Sequence, residues 1–415
     1  MNAEQGVSDL FGTAPPVLQH PVAELAHRLF DVVVVGAGPA GVTAAIRLAS
    51  TGHQVALMDK RVFPRSKVCG DGLIGDSIRM LRRLELYDLV RSHGYLLDAV
   101  RIFSPSQHAI DIPGEFMTVR RDVLDFLLAR AAVERGATFA TAEVMGFEEQ
   151  PDRVVARCRK TNVSVTGKLA IVATGADIRV VPSRARARAV QRSAVALRCY
   201  ARSSMVLDRL IVTFDRSILP GYGWIFPLGN QEFNLGCGVF DRGMEGPGPN
   251  LRDMFHTLVE RFPPARELIA HGALTSPLKG APLRCGLTGV PAYAGGRIVA
   301  VGEATGTTFP FTGEGIGKAM ETGALAADHA SQALTVGSLE PLSALPHVLH
   351  TTLEPRYRGY HVAERWLSHA WLSDWLIKRA SRSVYLQRAA AGVLNETVDP
   401  KAIFSWRGLV TSLAN

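Results

Sequence analysis

Gly36, Gly38 and Gly41 form a GxGxxG string, Gly36-Ala37-Gly38-Pro39-Ala40-Gly41, between an aliphatic run and a stretch rich in alanine and leucine. That order suits a nucleotide pyrophosphate. The first glycine permits a tight turn, the second lets backbone approach phosphate oxygens, and the third lets helix and strand pack closely. The helix start then offers N–H donors and a positive dipole end. Asp59, followed by Lys60, closes the next apolar run 23 residues after Gly36, where a carboxylate can accept ribose hydroxyls. A second constellation lies far downstream. The aliphatic run Arg297 to Val301 meets Gly302-Glu303, and the loop Pro310-Phe-Thr-Gly-Glu-Gly-Ile316 then opens a long helical pattern. An acid at such a strand end can bind a polyol hydroxyl, and the helix start after Gly313, Gly315 and Ile316 can face negative charge developing on a redox-active ring. Thr174 and Gly175, after a third aliphatic run, add another backbone approach point. A domain holding NAD alone has no need of the second loop, so FAD is the expected dinucleotide.

The elements that must position these groups read as a βαβ opening. Asp31 to Val35 is a strand buried on both faces, Val42 to Ser50 a helix, and Val55 to Met58 a second strand. Residues 73–97 read as helical and arginine-rich, and 118–135 as another helix. From Val154 the pattern alternates, with a hairpin of Val154–Cys158 and Val163–Thr166 running on to Gly175. Residues 192–240 read as strands and 251–270 as a helix; strand 297–301 leads to a helix ending near Leu334, and helices with many aromatics follow. The fold class is therefore α/β: a Rossmann-like FAD-binding domain interleaved with a β-sheet substrate domain, plus a helical C-terminal region. The expected division is an arm over 1–28, the FAD domain over 29–97, 115–190 and 285–335, the substrate domain over 98–114 and 191–284, and the helical region over 336–415.

The 415 residues are 47% hydrophobic and 20% charged, enough chain for two or three domains and a sizeable core. Of 46 basic residues only eight are lysine, and the net charge is +8. An arginine surplus suits anionic cofactors, lipid headgroups or nucleic acid and chooses none of them; no nucleic-acid partner is expected from the motifs. Five dispersed cysteines without a CxxC pair argue against disulfides and zinc and fit a reducing cytoplasm. The twelve histidines show no HExxH spacing, so no metal is expected. The first 25 residues lack the basic and apolar regions of a signal peptide. No apolar run reaches about 18 residues, which leaves only peripheral membrane contact. Trp366, Trp371 and Trp375 with Tyr357 and Tyr360, near Arg358, Arg365, Lys378, Arg379 and Arg382, read either as a face resting on a membrane or as helix packing.

Four segments carry a resemblance: Lys67-Val-Cys-Gly-Asp-Gly72; Gly221-Tyr-Gly-Trp-Ile-Phe-Pro227; Pro310 to Ile316; and the tail Leu386-Gln-Arg…Gly392-Val-Leu-Asn…Phe404…Arg407-Gly408. From about residue 30 to 410 the chain resembles FAD-dependent oxidoreductases of the para-hydroxybenzoate hydroxylase type, and within them the geranylgeranyl reductase family. The resemblance implies that Lys67, Cys69 and Gly70 lie beside the isoalloxazine, Arg121 near the pyrophosphate and Val144 against the adenine. It also implies a substrate strand at Tyr222, Trp224, Phe226 and Pro227. The family usually has Gly-Asp where this chain has Gly302-Glu303, and Gly306 to Phe309 is more polar than usual there.

Cys69, Tyr222 and Trp224 are the catalytic candidates. A thiol near the ring can donate a proton or modulate the flavin, or simply fill space; the two aromatics share one strand face and either line an apolar cavity or pack a core. The leading reading is a reductase that passes hydride from FAD to a C=C bond of an apolar polyprenyl or polyene-like substrate. NAD(P)H would bind transiently over the flavin, there being no second GxGxxG; a donor protein or flavin reductase is the alternative source of electrons. The second reading is a monooxygenase that uses the flavin to activate O₂ for hydroxylation or epoxidation of a natural-product intermediate. A flavin halogenase ranks third: Tyr222, Trp224, Phe226 and Pro227 replace its W-x-W-x-I-P signature, although Lys67 lies near the range of a halogenase lysine. A dinucleotide-sensing regulator has little use for an open cavity over a redox ring.

Overall fold

The computed structural model describes residues 18–159, 163–187, 189, 193–240, 249–310 and 312–405. Most of the expected arm, and Arg407-Gly408 of the tail, lie outside them. Phe30 and Val32 to Val35 are buried side by side, so from Val32 onward strand Leu29–Val35 has no polar face and sits inside a sheet. It pairs in parallel with Val55–Asp59 on one side and Ser164–Val172 on the other. The sheet continues in parallel to Thr138–Thr141 and His20–Pro21 at one edge and to Ile298–Ala300 at the other, where Tyr293–Gly295 adds an antiparallel strand. Strands Val154–Cys158 and Val144–Glu149 branch from it antiparallel. Helices Pro39–Ser50 and Ile316–Val336 leave from the carboxyl ends of parallel strands, where ligands of such sheets bind. Small residues bring these two helices close: a Cβ on Gly323 would lie 2.2 Å from the Ala40 carbonyl oxygen, and one on Gly302 would lie 2.8 Å from the Ala40 Cβ.

The second sheet runs, in spatial order, Gly272–Leu274, Ala194–Ser203, Glu232–Phe240, Tyr222–Gly229, Leu210–Thr213, Tyr95–Phe103, Ala109–Thr118 and Gly72–Leu73. The expected limits at residues 98 and 115 run through two of its strands, because Tyr95 to Phe103 and Ala109 to Thr118 are paired end to end. The helix expected over 73–97 is two shorter ones, Gly75–Arg83 and Tyr87–Arg91, and strand structure begins at Tyr95. Glu85 at φ 60° ends the first helix. A side chain at Gly94 would strike the Met117 sulfur at 2.6 Å, so that glycine seats the new strand on its partner. The helix expected over 251–270 is split at Phe262, which is extended because Pro263 follows it.

The C-terminal helices Glu340–Leu367, Ala370–Ala380 and Val384–Leu394 cover the body. Tyr357 and Tyr360 face inward: Tyr357 donates to the Thr307 carbonyl, and Tyr360 stacks on Phe309 with ring centroids 4.0 Å apart. They leave the suggested exposed face to Trp371 and Trp375, 70% and 37% exposed, since the amphipathic period of the long helix turns both tyrosines to the core. Among the described residues no helix is long and apolar enough to cross a membrane.

Candidate cofactor and substrate site

A cavity of about 930 Å³ opens between the two sheets. All the sequence-derived site residues line it except Gly41, Gly302 and Pro310. Those three lie just behind the wall, two of them as spacers. A Cβ on Gly41 would come within 1.9 Å of the Gly36 oxygen, and Gly302, at φ 65°, gives its N–H to Thr322 Oγ1.

At one end lies the glycine turn. Gly36 holds φ 103° with its amide 2.7 Å from the Met58 oxygen, which a side-chain-bearing residue would resist. Gly38 differs: a Cβ there would meet nothing nearer than Arg65 Nη2 at 3.8 Å, so its backbone looks into open cavity. The helix starting at Pro39 has no side-chain cap, and neither has the one starting at Ile316. Two uncapped helix starts on one cavity are a cradle for a dinucleotide's pyrophosphate and for an anionic ring edge. Asp59 Oδ2 takes the Ala37 N–H at 3.0 Å, and Oδ1 takes the Arg61 N–H at 3.0 Å, which fixes the carboxylate beside the turn. Lys60 pairs with Asp177 at 3.1 Å; Arg179 first, and then Lys60, hold that carboxyl below its ordinary range. Arg121 lines the cavity with Nε and Nη2 taken by Asp125 at 2.8 and 2.9 Å. Val144 lines the same end, and Thr174 and Gly175 line the wall below Ala173.

The other end is aromatic. Tyr222, Trp224 and Phe226 share one face of their strand, with successive ring centroids 5.7 and 6.4 Å apart. The neighbouring strand makes room with glycines, since Gly236 pairs with Trp224 and Gly238 with Tyr222. A Cβ on Gly236 would lie 2.2 Å from the indole. Cys69-Gly70 crosses this strip; a Cβ on Gly70 would be 3.2 Å from Phe226 and 3.5 Å from the Trp224 nitrogen. From the opposite side comes the loop before Ile316, where a Cβ on Gly313 would lie 2.5 Å from the Tyr222 hydroxyl. Glu303 Oε2 faces Lys67 Nζ at 3.9 Å, and Glu303 Oε1 accepts the Arg284 N–H at 3.4 Å. The longer acid thus reaches the cavity wall.

Several functional residues escaped the sequence. Arg65 bridges Asp125 at 3.0 Å and Asp59 at 3.5 Å and so braces the turn; no periodicity marks it. Asp71 is fully buried and accepts from Tyr200 Oη at 2.9 Å and Asn234 Nδ2 at 2.7 Å. Burial pushes its carboxyl up to about 6, against the opposing pull of Arg198, Asn234 and Tyr200. The Arg121–Asp125 pair had a signal, an i,i+4 spacing on a helix. Among the described residues no group of acids, histidines and cysteines has the arrangement of a metal site.

Residues 30–193 match a family model described as an FAD binding domain. The chain is 32% identical over 356 residues to the menaquinone reductase of Mycolicibacterium smegmatis, covering 81% of this chain and 83% of the relative. It is 27% identical over 421 residues to the digeranylgeranylglycerophospholipid reductase of Methanoculleus marisnigri, covering 93% of this chain and 99% of that one. A solved geranylgeranyl bacteriochlorophyll reductase-like protein of Thermoplasma acidophilum superposes with TM-score 0.74 at 21% identity, over 94% of this chain and 96% of the other, and shows the same fold. The fit of the cradle and these likenesses lead to one conclusion: the chain belongs to the geranylgeranyl reductase family of FAD-dependent oxidoreductases.

Proposed function

We propose that this protein reduces C=C bonds of an apolar substrate bearing a polyprenyl or polyene-like chain. The observation that carries this reading is the aromatic strip of Tyr222, Trp224 and Phe226, continued by Val100, Ile102, Phe116, Leu210, Val212 and Phe214 and crossed by the Cys69-Gly70 segment. A flat, extended unsaturated chain gains contact along such a strip, and its burial contributes about 25 cal/mol per Å² removed from water. The similar proteins named for menaquinone and for digeranylgeranylglycerophospholipid support it, since both molecules carry isoprenoid chains.

In this reading Gly36 to Ala40 and the helix start behind them hold the pyrophosphate, with Arg121 at that end and Val144 against the adenine. Asp59 and Glu303 accept hydroxyls. Gly313 to Ile316 and Lys67 to Gly70, which line the same cavity, would hold the ring. Reduced FAD, when bound there, would supply hydride. The protein's own work is to align the alkene, exclude water and provide the second hydrogen as a proton. NAD(P)H, an electron-donor protein or a flavin reductase would reload the cofactor. Trp371 and Trp375 project beside the exposed Lys378 and Arg382, a pattern suited to resting on an anionic lipid surface that holds the substrate.

The test is anaerobic. Reduced holoenzyme mixed with isoprenoid alkenes should be re-oxidised, with a product two hydrogens heavier. Product formed only in air and carrying oxygen would favour the monooxygenase instead.

A further inference from the structure

Behind the loop before Ile316 lies a buried group of charges that dinucleotide binding does not use. Glu314 lines the cavity, and its Oε2 is buried without a hydrogen-bond partner. Asp76, 3% exposed, spends Oδ1 on its neighbour Ser77, and its Oδ2 has no hydrogen-bond partner. Glu396 Oε2 is gripped by Lys318 Nζ at 2.8 Å, Arg79 at 3.0 Å and Arg356 at 3.5 Å, while its Oε1 has no hydrogen-bond partner. Lys318, 1% exposed, also reaches Glu321 at 2.5 Å and Asp76 at 3.9 Å. Three buried carboxylate oxygens are thus left over in one cluster.

Charge decides which acid gives way. Among the described residues the ion-pair partners of Asp76, Glu321 and Glu396 are Lys318, Arg79 and Arg356, three cations for a group of four acids with Glu314. The balance closes when one acid is neutral. Among the described residues Glu314 is the member that makes no ion pair, and it is the member on the cavity. Burial, then the like charges of Asp76 and Glu396, raise its carboxyl well above the ordinary range, and Lys318 offsets them only in part. The other titratable groups facing it, Tyr222 and Tyr360, are themselves shifted upward by burial and add no cation. At the far end Arg79 and Arg356 are 46% and 42% exposed, so the cluster runs from cavity to solvent.

We propose that Glu314 is the proton donor of the cavity, refilled from solvent through Asp76 and Glu396 at the Arg79–Arg356 rim. The assignment rests on the reductase reading for its acceptor. The Glu314 O–H bond breaks and a C–H bond forms at one alkene carbon, while the other carbon receives hydride from reduced FAD. The carboxylate left behind recovers its proton from water by way of the cluster. Asp76 and Glu396 act through Glu314 and are positioning residues.

Infrared spectroscopy of the FAD-loaded protein at about pH 8, where Asp71 and Asp76, each raised only to about 6, are ionised, tests this without substrate in H₂O and D₂O. The carbonyl stretch of a protonated carboxyl should be present in the wild type and absent from E314Q. In D76N, which removes a like charge, it should remain but titrate away at lower pH. A wild type without the band, a band that survives in E314Q, or an unmoved titration in D76N overturns the proposal. The FAD absorbance of E314Q reports whether it is folded, and E314D, which keeps the acid, should retain the band. Anaerobic alkene reduction in E314Q should fall by about 10²–10⁴-fold; wild-type rates there would also overturn it. If the wild type reduces no alkene, the reductase reading alone falls, because the infrared result stands on the E314Q difference.

Discussion

Trp224 donates its indole N–H to Asn234 Oδ1 at 2.9 Å across two antiparallel strands, and the Asn234 amide passes the bond on to the Cys69 carbonyl at 2.8 Å. The same amide reaches Asp71 Oδ2 at 2.7 Å. One buried side chain therefore ties the aromatic strip to the segment crossing it.

Replacing Asn234 with leucine keeps the branched shape but strands the Trp224 N–H and the Cys69 carbonyl, while Asp71 Oδ2 keeps its bond from Tyr200 Oη. Each unsatisfied buried group costs about 1–3 kcal/mol, so a loss of about 2 kcal/mol or more is expected. Thermal unfolding and FAD titration should show lower stability and weaker FAD binding together.

The three glycines of the turn should separate by role. G36A and G41A drive a methyl into backbone oxygens at 2.4 and 1.9 Å, and should destabilise the FAD-free protein by about 3 kcal/mol. G38V places its side chain in open cavity and should lower FAD-free stability by only about 1 kcal/mol, as a poorer N-cap, while abolishing FAD binding. Melting curves with and without FAD read both effects.

The glycine turn was legible because one residue type meets a hard steric demand there. Gly41 against Gly36 is the clearest case. The strands were legible wherever both faces are buried, as at Val32 to Val35, or wherever aromatics alternate, as at Tyr222, Trp224 and Phe226. Local pattern was weaker over 73–97, where the tertiary partner of Tyr95 to Phe103 decides the backbone. The braces were hidden: Arg65 and Asn234 matter because chain segments about 60 to 165 residues apart meet around them. Nothing in their own neighbourhood announces such meetings.

Asp71 makes a pH prediction. Its folded carboxyl is raised to about 6 from an ordinary 3.8, so it binds its proton more tightly folded than unfolded. Its contribution is complete below the unfolded value and is lost as pH rises through the folded one, a swing of about 3 kcal/mol. Wild-type stability should therefore drop more than that of D71N between about pH 4 and pH 7, read as melting temperature. Equal slopes would place Asp71 in a wetter setting.

Cys69 and Glu314 compete for the proton-delivery role, and two variants rank them. C69A should keep FAD and lose less than about tenfold in alkene reduction, far less than E314Q. The reverse order, read in single-turnover rates, would give the role to the thiol.

Hydrogenation of an alkene in this cavity is the proposed reaction. Its most direct measurement is a single turnover without oxygen: reduced holoenzyme is mixed with a polyprenyl alkene in D₂O, flavin absorbance is followed, and the product is weighed by mass spectrometry. Flavin re-oxidation with product formation is expected, and both new hydrogens should arrive as deuterium, one as a solvent-derived proton and one from a flavin N5 whose N–H has exchanged with D₂O. Flavin that stays reduced until air is admitted, followed by a product that gains oxygen, would contradict it.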